Sequence, residues 1–195
     1  MRILMLGNKR AEYCSEVHYW RTFENMGHEV IFLQESEATG ADIILHSNAE
    51  LFFWVHTHGW NTKGIDGALG FLREKNIPIV AYHLDLYLGL KREPQLHEYV
   101  TKVDHFFTVD KLMADYLNEK TKTKGHYLPP GVYDTECYMA EPNREKYPHD
   151  IIFTGSYGYH PEYPYRQKLI NWLKETYGDR FAHYGGGGLP GLRGH

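Results

Sequence analysis

His83 and Asp85 stand two residues apart, directly after the apolar run Ile77–Tyr82. If the chain stays extended there, both side chains face one cleft. An imidazole held by a carboxylate can take up a proton as a general base, or hydrogen-bond a sugar hydroxyl. The plainer reading is a structural histidine, with Asp85 capping a helix. A second pair, His56 and His58, follows the run Leu51–Val55 and would place two imidazoles on one side of an extended segment. With His83, and His46 as a neighbour, these residues suggest a metal site; an acceptor site or a structural role is the alternative. No cysteine and no further carboxylate-rich motif adds a ligand, so no metal is expected.

Two glycine turns could also carry chemistry. Gly7-Asn8-Lys9-Arg10 leaves the first apolar run, Arg2–Leu6. Neither GxGxxG nor GxxxxGK[ST] is present, which disfavours NAD and P-loop ATP chemistry. Gly7 then either admits a ligand close to the backbone or simply makes the turn. Gly155-Ser156 follows Ile151–Thr154 and precedes a segment carrying Arg166 and Lys168. Turn amides plus a cation on the helix suit a diphosphate. A turn beside solvated basic residues is the alternative. Gly185–Gly188 either lets a nucleotide lie against the backbone or forms a flexible end.

The elements that must position these residues read as an α/β pattern. Arg2–Leu6 and Glu29–Leu33 are strands joined by a helix from a Ser15 cap to Met26, with Gly27 as its stop and Tyr19, Phe23 and Met26 on one face. Ala41–Ala49 is expected to be helical. The stronger strand Leu51–Val55 follows too soon for a parallel crossover. Ile65, Leu69 and Leu72 mark another helix, and Ile77–Tyr82 and His105–Val109 are strands. Lys111–Lys120 is a helix with Leu112, Met113, Tyr116 and Leu117 inward, and His126–Leu128 is a short last strand. Residues 133–149 hold Pro142, Asn143 and Pro148, lack periodicity, and read as a linker.

The pattern restarts at residue 150 with strand Ile151–Thr154, a helix over about Tyr165–Tyr177 and strand Phe181–Tyr184. The expectation is a Rossmann-like parallel-sheet lobe over 1–132, a linker over 133–149, and the start of a second Rossmann-like lobe over 150–195. In such sheets ligands bind at the carboxyl ends of the strands, where the turns named above emerge.

Composition narrows the function classes. Of 195 residues, 42% are hydrophobic and 24% charged, as in ordinary globular proteins. A net charge of −4 supplies no basic field for nucleic acid, and Lys120–Lys124 reads as a solvated helix end. The 16 tyrosines fit a carbohydrate- or nucleotide-handling surface, or a tyrosine-rich core. No apolar run reaches the roughly 20 residues of a membrane span. The chain enters a strand almost at once, so no signal peptide is expected. The two cysteines, Cys14 and Cys137, are far apart, and a reduced, cytoplasmic setting is the simplest expectation.

Four segments together resemble the GT-B glycosyltransferases, in particular the family 4-like and CgeB-like branch of sugar-nucleotide transferases. They are MRILMLGNKR with HYWRTFENMGHEV, then IPIVAYHLD, then HYLPPGVYDTECY, then DIIFTGSYGYHPEYPYRQKLINWL. The resemblance implies transfer of a sugar from a nucleotide-diphosphate sugar to an acceptor: a glycan, a small molecule or a modified nucleic acid. It implies an acceptor-binding first lobe, with His83 beside the donor sugar and Asp85 as its acidic neighbour. Gly7 and Asn8 would lie near the ligand. Gly155, Ser156 and Arg166 match the start of the donor lobe, with Arg166 on the diphosphate.

No cofactor or metal is implied, because cationic groups and helix N-termini stabilise the leaving diphosphate. In that family the donor lobe continues past the glycine run into an acidic motif and a returning helix. The expectation is thus a chain truncated within the donor lobe, completed by a missing segment or a partner chain. Two other functions fit the residues: a non-catalytic glycan- or nucleotide-binding module, and a metal-dependent hydrolase using His56, His58, His83 and Asp85.

Overall fold

The computed structural model of the chain describes residues 1–57, 59–85, 88–89, 93–137, 139, 141, 143–145, 147–158 and 165–185, with the main chain only at 95–98. The protein divides into two compact units, Met1–Cys137 and Tyr138–His195.

The first unit is a Rossmann-like α/β layer structure. Its strands are β1 (Arg2–Gly7), β2 (Glu29–Gln34), β3 (Leu51–Trp54), β4 (Ile79–His83), β5 (His105–Thr108) and β6 (Lys124–Tyr127). They form one six-stranded sheet in the order β2-β1-β3-β4-β5-β6, and every pairing is parallel. The helices are α1 (Ser15–Asn25), α2 (Gly40–Leu45), α3 (Ile65–Glu74), α4 (Glu93–Val100) and α5 (Lys111–Lys120). Strand β1 lies inside the sheet, between β2 and β3, and Ile3, Leu4, Met5 and Leu6 are all buried, as expected of a strand covered on both faces. Leu4, Leu6, Phe52, Trp54, Ile79, Ala81 and Phe106 face α2–α5. Ile3, Met5, Phe53, Val55 and Tyr82 face α1. Each large apolar side chain removed from water on either face contributes about 1.5–3 kcal/mol.

Local chemistry sets the helix ends. Thr39 and Asp42 form a reciprocal capping box at α2: the Asp42 carboxylate accepts from Thr39 N at 2.8 Å and from Thr39 Oγ1 at 2.7 Å. These bonds hold the Asp42 carboxyl below its ordinary range. Helix α1 begins at Ser15 with Cys14 in the capping position, so Ser15 is the first helical residue and not the expected cap. Gly27, at φ 83°, stops it. Asn76, at φ 58°, plays the same part after α3, with Ile77 N bonded to Leu72 O at 2.9 Å.

One inward assignment fails: Leu112, in the first turn of α5, is 71% exposed, while Met113 and Leu117 are buried as expected. Met26, which caps the end of α1, is 65% exposed. Helix α4 was not legible, since Glu93–Val100 mixes proline and polar residues with few apolar ones. A parallel step from β4 to β5 nonetheless needs a crossover there.

Residues 134–136 form a short 3₁₀ turn. Tyr133 stacks on His18 at 5.2 Å, so the start of the segment read as a linker packs with the first unit. The described part of the second unit is a β-α-β element: β7 (Ile151–Thr154), α6 (Tyr165–Tyr177) and β8 (Phe181–Tyr184), the strands parallel and paired. No helix is long and apolar enough to cross a membrane among the described residues.

Strand β6 is clamped to α5 by two bonds between Asn118 and Gly125, at 2.9 and 3.0 Å. A Cβ on Gly125 would collide with the main-chain carbonyl of Ala114. Gly125→Ala is therefore expected to lower the unfolding free energy by about 1–3 kcal/mol in urea denaturation. An unchanged midpoint would contradict this packing.

Candidate functional site

The sheet order places β2 on one side of β1 and β3 on the other, so the chain reverses its direction of winding between β1 and β3. Ligands of open parallel sheets sit at such a switch point, beyond the carboxyl ends of the strands. Glu35, which follows β2 directly, occupies this place and is 1% exposed. Its main-chain N–H donates to Gly7 O at 2.9 Å. Its carboxylate accepts from Trp54 Nε1 at 2.8 Å and from the main-chain N–H of Thr57 at 2.7 Å, and Nδ1 of His56 lies 2.5 Å away. One carboxylate thus ties the end of β2 to the exit of β3, across the end of β1.

A second layer holds the same exit. The Tyr99 hydroxyl, from α4, donates to Trp54 O at 2.8 Å and accepts from His56 N at 3.4 Å. Burial pushes this hydroxyl well above its ordinary value. The Tyr99 ring is 4.7 Å from Trp54 and 4.9 Å from His56, so the imidazole is wedged between an aromatic wall and a carboxylate.

These residues border a cavity of about 560 Å³, whose lining includes Trp54, His56, Trp60, Asn61, Thr62 and Tyr99. A second cavity, of about 450 Å³, opens on the other face of the sheet, beside Tyr19, Tyr82, Leu84 and the segment Leu128–Tyr133.

His83 ends β4, is 9% exposed, and has its ring 6.4 Å from Phe106. Trp54 pairs with Ala81. Two residues further on, His56 and His83 therefore leave neighbouring strands on the same face of the sheet. The ring contacts His56–Tyr99–Phe106–His83 run between them at 4.9, 5.6 and 6.4 Å. Asp85 is half-buried at a bend beyond β4, and neither His83 nor Asp85 is among the described lining of the 560 Å³ cavity. His46 caps the far end of α2, in the turn entering β3, at the opposite edge of the sheet. His58 lies outside the described residues. Among the described residues, no three His, Cys, Asp or Glu side chains gather as a metal site.

Gly7 and Asn8 meet a side chain of the protein itself. A Cβ on Gly7 would stand 3.0 Å from Glu16 Cγ and 3.4 Å from Val55 O. Asn8 Oδ1 accepts from Arg10 N at 3.1 Å. Burial raises the Glu16 carboxyl above its ordinary range; the nearby Glu35 charge adds to this, and main-chain N–H groups of Glu16 and Asn8 oppose it.

In the second unit the nominated residues do come together. Arg166 Nη1 donates to Ser156 O at 3.3 Å and to Ser156 Oγ at 3.5 Å. Gly155 adopts φ 135°, its N–H donates to Tyr184 O at 2.9 Å, and its carbonyl lies 2.5 Å from Nε2 of the buried His183. A Cβ on Gly185 would run into the Gly155 carbonyl, so the exits of β7 and β8 touch through bare backbone. Gly186–Gly188 lie outside the described residues.

Sequence reasoning missed Glu35, Trp54 and Tyr99. A carboxylate closing the apolar run Glu29–Leu33 at its carboxyl end was the available signal for Glu35. No known protein-family model matches the chain, and no curated protein matches it.

Because the Glu16 carboxyl is raised in the fold, its contribution to stability is full below its unfolded-chain value, about 4. It is lost as the pH climbs through the raised value. Glu16→Gln does not titrate. Its thermal midpoint is expected to exceed that of the wild type at pH 8, with the gap closing towards pH 4. A gap that widens in acid would refute the buried, repelled state of Glu16.

Proposed function

We propose that the protein is a glycosyltransferase of the GT-B type, moving a sugar from a nucleotide-diphosphate sugar to a hydroxyl-bearing acceptor. The observation that carries this reading is the 560 Å³ cavity at the carboxyl ends of the parallel strands. Its aromatic walls, Trp54, Trp60 and Tyr99, stand beside the hydrogen-bonding groups of His56, Asn61 and Thr62. A sugar ring, apolar on its faces and polar at its rim, suits such a lining. The Gly155-Ser156 turn with Arg166 supports the other half of the reading. Bare backbone and a guanidinium anchored at the turn suit the two phosphates of a donor. The sequence resemblance points the same way and assigns His83 to the donor sugar, with Asp85 nearby. The leaving diphosphate is stabilised by cationic and main-chain groups, with no cofactor required.

The test is to incubate the protein with UDP-, GDP- and TDP-sugars and candidate acceptors, and to follow nucleotide-diphosphate release and product formation. Tight binding without turnover would make it a binding module instead. His83→Ala is expected to abolish transfer while the protein still folds; turnover at the wild-type rate would remove His83 from the mechanism. Arg166→Ala is expected to weaken nucleotide-diphosphate binding on the order of 10-fold, and equal affinity by calorimetry would remove its role.

A further inference from the structure

We infer that His183 is a positioning residue for the Gly155-Ser156 turn: it fixes the peptide between these two residues so that the Ser156 N–H faces outward and donates to a phosphate oxygen. This rests on the diphosphate reading of that turn, and adds to it the donor group used and the side chain that aims it.

His183 is a buried imidazole that sugar transfer leaves without a part. It stands on β8 at 1% exposure, paired in register with Phe153, and its ring lies 5.7 Å from Phe153 and 6.3 Å from Tyr157. Nε2 is 2.5 Å from the Gly155 carbonyl oxygen, while Nδ1 is sealed from water with no hydrogen-bond partner among the described residues. A carbonyl oxygen only accepts, so Nε2 donates here, and both the neutral Nε2–H ring and the cation can do so. Leucine would fill such a place without an unmatched nitrogen, so what the imidazole adds is the bond to Gly155 O.

That bond sets the direction of a second group. The Gly155–Ser156 peptide is trans, and the C=O and N–H of a trans peptide point opposite ways. With the carbonyl drawn in towards His183, the Ser156 N–H is turned out of the strand pair. No acceptor for it is found among the described residues, and Ser156 is only half-buried. Gly155 itself does not hold the peptide, because at φ 135° it has the rotational freedom that only glycine keeps. Gly185 leaves the room: a Cβ there would run into the Gly155 carbonyl. His183 supplies the bond that selects one orientation. The next peptide is fixed likewise, through Arg166 Nη1 and Ser156 O at 3.3 Å. Successive oriented peptides of this kind make a main-chain site for an anion.

Hydrogen exchange of the unliganded wild-type protein is expected to find the Ser156 amide unprotected. UDP, or inorganic pyrophosphate as the bare diphosphate, is expected to protect it and to move its ¹H–¹⁵N resonance. Protection already present without ligand overturns the inference, since the N–H would then be engaged inside the protein. In calorimetry, His183→Leu is expected to lose on the order of 10-fold in affinity for both probes, together with the Ser156 shift. His183→Gln, whose side-chain amide can still donate to Gly155 O, is expected to keep most of both. Wild-type affinity in His183→Leu, or a His183→Gln as weak as His183→Leu, overturns the inference and leaves His183 a packing residue. If His183→Leu does not fold, residual dipolar couplings of the unliganded wild type decide: a Ser156 N–H directed inward, towards β8, overturns it. If UDP, GDP and TDP all fail to bind while pyrophosphate protects Ser156 in the wild type and not in His183→Leu, the nucleotide-sugar reading fails and the role of His183 stands. If no probe moves Ser156, the inference fails.

Discussion

Glu35 is the constraint on which the carboxyl edge of the first unit depends. A carboxylate sealed from water loses several kcal/mol of hydration unless hydrogen bonds replace it. Here the replacement comes from three groups at the exit of β3: Trp54, His56 and Thr57. Those bonds can form only if β2, β1 and β3 end in register, which the parallel pairing Leu6–Leu33 and Leu6–Trp54 provides. The buried charge therefore works as an alignment device. It selects one geometry of the strand exits from those that hydrophobic burial alone would tolerate.

The consequences spread outward from that point. Because Trp54 is fixed through its indole N–H, its ring becomes a rigid wall for Tyr99. Because Tyr99 bonds to the main chain on both sides of the Trp54–His56 bend, α4 is anchored over the exit of β3. The cavity exists because these large side chains are committed to one another and cannot collapse into it. The opposite face carries a different arrangement, in which Tyr82 reaches Leu128 O at 3.2 Å and Pro129 O at 3.3 Å and so holds the segment leaving β6.

Much of the fold was legible. Unbroken apolar runs such as Ile3–Leu6 read as doubly covered strands, and α3, α5 and α6 show their periodicity plainly. Helix α4 was not, because its few apolar residues give no helical stripe. Leu112 was read inward because periodicity assigns a face without saying which residues of that face lie over the sheet. Among the candidate residues, His56 and His83 in the first unit, and Gly155, Ser156 and Arg166 in the second, stood out from residue type and position after strands. Glu35 and Tyr99 did not, although they hold His56 in place.

By itself the sequence determined that the chain is α/β, where most strands lie, and which polar residues leave their carboxyl ends. Each of these follows from local patterns of burial and turn chemistry. Only the tertiary structure decided which of those residues meet. Glu35 and His56 are 21 residues apart, and Tyr99 lies 43 beyond His56. Their encounter follows from the strand order β2-β1-β3-β4 and from the parity that puts His56 and His83 on one face. Strand order is a property of crossovers between distant segments, and no local pattern encodes it. The same holds for Gly155 and Gly185, whose lack of side chains acquires a meaning only when two strand exits are pressed together.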